Sequence, residues 1–588
     1  MCGIVGAFSP QKPFDKLPFT TRNLDRIHHR GPDAQGFYVD DHAMLGFRRL
    51  AILDLAGGGQ PLYSEDEQIV VLINGEIYNH HELRQRLADH HRFRSRVDGE
   101  VLVHLYEERG LDFVNELRGM FAFALYDRKK RRLVLGRDRA GQKPMFYQWS
   151  QGSLRFASEI KPLLQDGDKP AVSRAALAEY LRFGYVPSPR TILEGIHKLP
   201  AGSVLVADAG TTPRTIDYWK LRFSRDDGRT VPPREAEQWC KDLRSTLSSA
   251  VKMRLESEVP MGFLLSGGVD SASVFALGVG GLDKRRAQAF TIGFRGAPID
   301  ESEAAAEVTR RYEAKHRIIH LERSEATSLD EILHRVEEPV STDALLPTAC
   351  VFEAVSRAKV TTVLSGEGSD ELFAGYTKFA RATRDPELER VGPLERYLRH
   401  EEFVFTAEER ATLLGEDIVD PRFDELEREA RELDPLSQML LLETRLRLPD
   451  RINLRLDRTS MAHSIEARAP FMDHGVMEFA ATLPHAVRTG PNFNKHALRH
   501  AMRDALPEVV LSARKAPFHA PDTWFTDAGQ DEALLGPDAI AEAGLVKPEP
   551  VQALRARARA GDRAAQERIF SLYVLHAWHR AFYRRLCA

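Results

Sequence analysis

The sequence contains no apolar run approaching the ~20 residues that a membrane-spanning helix requires. Its opening Met1–Phe8 stretch is apolar but lacks a basic flank and is soon followed by Gln11, Lys12, Asp15 and Lys16. Neither a membrane anchor nor a signal peptide is expected, and a cytoplasmic location is. Cysteine is scarce, with 4 among 588 residues, at positions 2, 240, 350 and 587. That is too few and too scattered for a disulfide framework or a thiolate zinc cluster. No basic excess exists either: 82 Lys and Arg against 86 Asp and Glu give a formal charge of −4. A nucleic-acid partner is therefore not expected. The pattern G-x-x-x-x-G-K-[ST] is missing, which speaks against a P-loop kinase or ATPase. What is present is ordinary globular composition, 43% hydrophobic and 29% charged, in a chain too long for one hydrophobic core.

The first two hundred residues read as short strands and tight turns. Gly3–Phe8, Ala43–Leu53 and Ile69–Ile73 are apolar runs, Phe121–Tyr126 and Arg132–Gly136 flank a hairpin turn, and Leu154–Ala157 leads into a helix-like Glu159–Leu164. This pattern predicts a layered sheet domain over residues 2–215. A Pro/Gly-bearing stretch through Pro232 and Pro233 marks a boundary. From residue 236 to 588 the rhythm becomes helix and buried strand. Met261–Leu265, a helix over Ser271–Leu277, and Phe290–Phe294 form a parallel βαβ unit, and Val360–Leu364 repeats the theme. Residues 376–450 are dense in Glu and Arg and read as a solvated helical layer.

Cys2 directly follows Met1. Its small size permits Met1 removal, which would set the thiol beside a free α-amine of pKa ~7.7–8.0. Nucleophile and base then belong to one residue. Alone, Cys2 reads better as a small buried residue in a first strand. Three other features give it a context. Asn74-Gly75-Glu76 follows an apolar strand, and a turn there would aim the Asn74 amide and the Gly75 N–H at one oxyanion. Arg49 can grip a carboxylate bidentately, and Asp98-Gly99-Glu100 can hold an ammonium. The loops at Arg30–Asp33 and Gly136–Arg139 read as structural or gating. Met1-Cys2-Gly3-Ile4-Val5-Gly6, His29-Arg30-Gly31-Pro32-Asp33, Asn74-Gly75-Glu76-Ile77-Tyr78-Asn79 and Gly119-Met120-Phe121-Ala122-Phe123 resemble the class II glutamine amidotransferase (N-terminal nucleophile) domain. The resemblance implies an αββα sandwich in which Cys2 attacks the glutamine amide. It also implies that Arg49 binds the carboxylate, that Asp98 and Glu76 bind the amine, and that Asn74 and Gly75 stabilise the tetrahedral intermediate.

A second constellation begins at Ser266-Gly267-Gly268-Val269-Asp270-Ser271, where a buried strand meets a helix. Its glycines let backbone N–H groups approach a polyphosphate. Ser365-Gly366-Glu367-Gly368-Ser369-Asp370-Glu371 again follows a strand, at the end where open α/β sheets bind ligands. Asp270, Asp370 and Glu367 offer oxygens of the kind Mg²⁺ takes beside phosphate, and Lys495 offers positive charge. These loops resemble the PP-loop ATP-pyrophosphatase fold of asparagine synthetases. Arg458–His463 and Glu466–Asp473 match further blocks of that family. Together the two halves resemble glutamine-hydrolysing asparagine synthetase over nearly the whole chain.

The resemblance implies an α/β protein whose second domain has a parallel sheet with a helical insertion, using glutamine, ATP, Mg²⁺ and a carboxylic acid, aspartate first. It leaves room for a homodimer. Ser266–Ser271, with Ser365 and Gly366, would hold ATP, with Asp270 and Asp370 holding the metal. Leu265 and Ile292 would flank adenosine, Glu367 would lie at the acyl centre, and Lys495 would stabilise charge at the α-phosphate. The implied reaction is conversion of aspartate to asparagine through a β-aspartyl-AMP intermediate, with amidation of a different carboxylate as the alternative. The loop Ser341-Thr342-Asp343-Ala344 departs from the short enterobacterial-type enzymes. Asp343 reads either as a pocket residue, with Arg514 or Lys515 supplying a cation, or as a helix N-cap.

Overall fold

The computed structural model describes residues 2–14, 21–165, 167–282, 287–293, 300–321, 328–385, 390–418, 420–490, 493–513 and 528–587. The N-terminal strands are β1 (Cys2–Phe8), β2 (Ala34–Val39), β3 (Ala43–Arg49), β4 (Leu62–Tyr63), β5 (Ile69–Ile77), β6 (Gly119–Asp127), β7 (Arg132–Arg137), β8 (Phe146–Ser150), β9 (Ser153–Ala157), β10 (His197–Lys198), β11 (Ser203–Asp208) and β12 (Arg214–Asp217). They form two six-stranded sheets, ordered β10-β8-β9-β1-β3-β2 and β12-β11-β7-β6-β5-β4. Every pairing in them is antiparallel. Ile4, Phe8, Leu45 and Phe47 of the first sheet interdigitate with Val70, Leu72, Ala124 and Leu135 of the second. The outer face of the second sheet presents Val71, Ile73 and Phe123 to Leu83, Leu102 and Leu105, on the helices His80–Leu87 and Val101–Arg109. The outer face of the first presents Val5, Ala7 and Ala157 to Leu24, Leu177 and Leu181. Because each sheet is covered on both faces, its central strands carry no polar alternation and β1 is buried throughout. The layering is the αββα sandwich that the resemblance implied.

The C-terminal half holds a wholly parallel sheet of β13 (Met261–Leu264), β14 (Gln288–Gly293), β15 (Lys315–His320), β16 (Thr362–Leu364) and β17 (Glu466–Arg468). Its order is β15-β14-β13-β16-β17. The sequence steps outward one way from β13 to β15 and then crosses back to β16. The crevice between the carboxyl ends of β13 and β16 is therefore a topological switch point, where doubly wound sheets bind ligands.

Four expectations need correction. Asn74-Gly75 is not a turn: it lies inside β5, with Asn74 opposite Ala122 and Gly75 opposite Phe121. Gly75 has φ +145°, and a Cβ there would sit 2.0 Å from the Met120 carbonyl oxygen, so a glycine lets the strand continue where a turn was expected. The helix expected over Glu159–Leu164 is a single 3₁₀ turn, Lys161–Leu163. The strand expected to reach Leu53 ends at Arg49, and Leu50 and Ile52 instead pack on Met461 of the other half. The 376–450 segment is helical but not simply solvated. Lys378 is buried in ion pairs with Glu401 and Glu443, and Tyr397 donates to Glu443 at 2.8 Å. Opposite charges that leave water must find one another, and here they do. Phe294, Arg514 and Lys515 lie outside the described residues.

Buried charge joins the halves. Arg30 is fully buried and forks onto Asp457, Nη1 to Oδ2 at 2.8 Å and Nη2 to Oδ1 at 3.0 Å. The same guanidinium donates to Glu159 at 3.1 Å and to the Cys2 carbonyl at 3.2 Å. Arg118 and Arg254 both pair with Asp473. Removing one partner from a buried pair leaves a charge without compensation, which costs ~3–5 kcal/mol. Lys143 lies 3.9 Å from Asp457 and Arg458 lies 2.8 Å from Glu159, so part of the compensation survives. Arg30→Ala is expected to destabilise the protein by ~3 kcal/mol in urea unfolding. A loss below ~1 kcal/mol would place this cluster among ion pairs of little weight.

Candidate active sites

The first site forms where β1 of one sheet faces β5 of the other. Cys2 and Arg49 are cross-strand partners, so both side chains leave the same face of the first sheet. The Arg49 guanidinium donates to the carbonyls of Leu53 at 3.2 Å and Asp54 at 2.6 Å, which wraps the 53–58 loop around it. Across the sandwich, the Asn74 Oδ1 accepts the Cys2 N–H at 3.0 Å. Its amide nitrogen Nδ2 is buried without a partner among the described residues. An uncompensated donor beside a buried thiol is what a developing oxyanion needs.

Glu76 and Asp98 are both buried, and Asp98 Oδ2 accepts the Ile77 N–H at 2.6 Å. Burial pushes both carboxyls up, and for Glu76 the nearby Glu466 and Asp98 charges push further. Glu466 and Arg468 reach this site from β17, the edge strand of the parallel sheet. Arg468 lies 3.6 Å from Glu76 and 2.5 Å from Glu466. Burial opposes charge on Glu466, yet the chain's terminal ammonium, with Arg468 and Lys143 behind it, outweighs burial and holds that carboxyl at about 2. Three buried carboxyls, Glu76, Asp98 and Glu466, cluster here with Arg468 and Lys143 as their nearest cationic side chains, an acidic cluster that can take an ammonium. Burial also raises the Cys2 thiol, with Glu76 and Glu466 adding to the shift, so thiolate does not form here unaided.

The second site lies at the switch point. The Leu265–Gly268 loop leaves β13 and enters the helix Val269–Gly278. Ser271 Oγ accepts the Ser266 N–H at 2.9 Å, and Ser266 Oγ accepts the Gly268 N–H at 3.1 Å. The loop is thus folded in advance, as an anion cradle at a helix N-terminus must be. Leu265 donates its N–H to the Phe290 carbonyl at 2.9 Å, which sets it beside Ile292 at the carboxyl ends of adjacent strands; both are buried. The Ser365–Glu371 loop meets the first loop at Gly366, where a Cβ would sit 2.6 Å from the Ser271 backbone nitrogen. Only a residue without a side chain permits that approach. Ser365 is anchored by its N–H to the Arg468 carbonyl at 2.9 Å.

Asp270 and Asp370, one from each loop, both pair with the buried Lys495 ammonium, Asp370 at 2.6 Å. Ser369 donates to the other oxygen of Asp270 at 2.7 Å. Two carboxylates converging on one cation offer the hard oxygen donors that Mg²⁺ prefers. Glu367 pairs with Arg455 at 2.6 Å, on the helix Asn453–Met461. The sequence reading missed Arg455, Glu466 and Arg468, and it gave Arg30 no partner. Their nearest signal was that the blocks holding Arg458, Glu466 and Arg468 matched a family pattern without any role attached. Asp343 is not a helix N-cap: the helix Leu345–Arg357 starts at Ala344, with no side-chain cap. Asp343 instead lies within electrostatic reach of the buried Arg451.

Two family models match the chain, a glutamine amidotransferase domain over residues 1–219 and asparagine synthase over residues 242–580. Among curated relatives, asparagine synthetase [glutamine-hydrolyzing] 1 of Bacillus subtilis is 29% identical, over 98% of this chain and 96% of its own length. Asparagine synthetase B [glutamine-hydrolyzing] of Escherichia coli is 31% identical, over 88% of this chain and 82% of its own length. Asparagine synthetase [glutamine-hydrolyzing] 3 of Arabidopsis thaliana is 32% identical, over 84% and 74%. With both models matched in order and full-length relatives of this kind, the chain belongs to the asparagine synthase family.

Proposed function

We propose that the protein is a glutamine-dependent asparagine synthetase, with residues 2–215 releasing ammonia and residues 236–588 activating and amidating aspartate. The observation that carries this reading is a single helix serving both sites. Asn453–Met461 presents Asp457 to Arg30, which holds the Cys2 carbonyl, and Arg455 to Glu367 in the second site.

In the first half, Arg49 holds the glutamine α-carboxylate, and Asp98 and Glu76 hold its ammonium. The Cys2 sulfur attacks the side-chain carbonyl carbon while the α-amine freed by Met1 removal accepts the thiol proton. Asn74 Nδ2 and the Gly75 N–H donate to the oxyanion. The amide nitrogen leaves as ammonia, and water releases glutamate from the thioester. A base held on the nucleophile's own residue suits a thiol whose pKa burial has raised.

In the second half, a carboxylate oxygen of aspartate attacks the α-phosphorus of ATP, and the bond to pyrophosphate breaks. Ser266–Ser271 cradles the phosphates, Leu265 and Ile292 flank the adenosine, and Lys495 faces the charge that builds at the α-phosphate. Asp270 and Asp370 would hold Mg²⁺, which when bound neutralises charge on the departing pyrophosphate. Glu367, aligned by Arg455, lies at the acyl centre. Ammonia then attacks the acyl carbon and AMP leaves. Ammonia would pass between the sites inside the protein, because water would protonate it to a non-nucleophile; a small cavity lined by Arg137, Met145, Phe146, Asn453, Leu454 and Asp457 lies between the halves.

Release of AMP and pyrophosphate with a panel of carboxylic acids tests the acceptor. Aspartate is expected to give the fastest release, with asparagine identified by mass; another acid reacting in its place would refute the reading. Two reciprocal variants test the division of labour. Cys2→Ala should abolish glutamine use and keep ammonia-dependent synthesis. Lys495→Ala should lower synthesis at least ~100-fold, as losing one aligned electrostatic contact does, and keep glutamine hydrolysis. Intact mass of active enzyme should lack Met1. Loss of both activities in either variant would contradict separate sites.

The raised carboxyls give a pH signature. Glu76 and Asp98 must be ionised to bind an ammonium, and their pKa values lie above the ordinary carboxylate range. Lowering the pH therefore protonates them before an exposed carboxylate would be affected, and glutamine binding weakens. The glutamine KM is expected to rise several-fold between pH 8 and pH 6 while the KM for ATP changes little. A glutamine KM flat over that range would show the clamp is ionised throughout.

A further inference from the structure

Away from both sites, four side chains of the N-terminal domain converge on one point. Glu65 follows β4, His91 lies in the loop after the helix His80–Leu87, and His104 and Glu107 lie three residues apart on the helix Val101–Arg109. That spacing puts the last two on one helical face. The Nδ1 atoms of the two imidazoles and the carboxylate oxygens form a closed ring. Its contacts are 3.3 Å for His91–Glu65, 3.6 Å for His91–Glu107, 3.2 Å for His104–Glu107 and 3.4 Å for His104–Glu65. Glu65 uses a different oxygen for each histidine.

The distances decide between two explanations. Imidazolium–carboxylate hydrogen bonds contract to ~2.7–2.9 Å; the two hydrogen bonds within the ring, His104–Glu107 at 3.2 Å and His91–Glu65 at 3.3 Å, are longer than that, as are the other two contacts. Ligands bound to zinc at ~2.0–2.2 Å in a tetrahedron stand ~3.3–3.5 Å apart along its edges; the contacts here, from 3.2 to 3.6 Å, bracket that spacing, and Glu65 would turn one of its two oxygens to the ion. Charge agrees, since two carboxylates with two neutral imidazoles leave a double negative charge for a divalent cation. Two nitrogens exclude Mg²⁺ and Ca²⁺ as preferred occupants and suit Zn²⁺. An outer shell is also present. Glu65 accepts the Arg92 N–H at 2.8 Å, so one of the ligands is oriented by another group, and the Glu108 carboxylate lies 3.6 Å from His91 Nε2. His104 is fully buried while His91 and Glu107 keep 13% and 26% of their side-chain surface in solvent, which leaves an entry path for an ion.

We propose that Glu65, His91, His104 and Glu107 form a structural Zn²⁺ site. It would tie the turn after β4 to the segment between His91 and His104, which carries Asp98. The site is independent of the acceptor and of the reaction in either half.

The test is calorimetric titration of Zn²⁺ into the full-length protein stripped of metal by a chelator, with thermal melts in parallel. One tight site is expected, with a rise of several degrees in Tm at saturating Zn²⁺ because only the folded state binds. His91→Ala and Glu107→Gln, at partly exposed positions, should each weaken that binding at least ~10-fold and remove the Tm shift. His81→Ala is the control, because His80, His81 and Glu256 form a separate group; it should change neither. Absence of a Zn²⁺ site, a site that survives both substitutions, or one lost instead in His81→Ala would overturn the proposal.

Discussion

Arg30 is the fixed point of the molecule. A guanidinium with no access to water must be matched on every side, and Arg30 achieves this only by drawing on both halves of the chain. It takes the Cys2 carbonyl and Glu159 from one half and Asp457 from the other. Burial works against charge on Asp457, but Arg30 and Lys143 outweigh it and hold that carboxyl below its ordinary range. The position of the Cys2 backbone is thereby tied to the orientation of one helix in the synthetase half. The same helix presents Arg455 to Glu367, so the two sites share a rigid element.

The helix itself is unusual where it must be. Residues Glu443–Ile452 run as a π-helix with Pro449 inside, continuing directly into Asn453–Met461. Proline cannot donate to the ordinary ladder, and a widened turn accommodates it. Asp450, just beyond, accepts the Ser188 N–H and hydroxyl at 2.6 and 2.7 Å, another cross-chain clamp. A similar economy governs the parallel sheet. Its edge strand β17 completes the synthetase fold and also delivers Glu466 and Arg468 to the thiol site, so neither site is built wholly from its own half.

The sequence disclosed local chemistry better than long-range partnership. Cys2, Arg49, Asn74 and Asp98 stood out because each sits in a short motif whose residue types match a task, and the structure gathers them around one face of the sandwich. The two Gly/Ser loops were legible only as a pair, since one glycine-rich turn before a helix is as readily a plain turn, whereas two at the carboxyl ends of buried strands mark a ligand crevice. What escaped was whatever depends on folding across hundreds of residues. Nothing near Arg30 announces Asp457, and nothing near Glu76 announces Arg468. The Asn74-Gly75 pair misled because that dipeptide is the strongest short-range hairpin signal. Here the demand for close approach to the Met120 carbonyl, felt only in the folded sheet, overrides the local preference. The charged 376–450 segment misled in the opposite sense, because composition cannot distinguish charges that face water from charges that pair when buried.

The central claim is that the Arg30–Asp457 fork couples the thiol site to the acylation site. Asp457→Asn keeps the shape and removes the charge, so it tests the coupling with little change in packing. The direct measurement is the ratio of glutamate to AMP formed under saturating glutamine, ATP and aspartate, compared with the rate supported by ammonia alone. The account predicts nearly one glutamate per AMP in the native protein. In Asp457→Asn it predicts a clear excess of glutamate, with ammonia-dependent synthesis retained within a few-fold. An unchanged ratio in a folded Asp457→Asn protein would contradict it and reduce the fork to a structural staple.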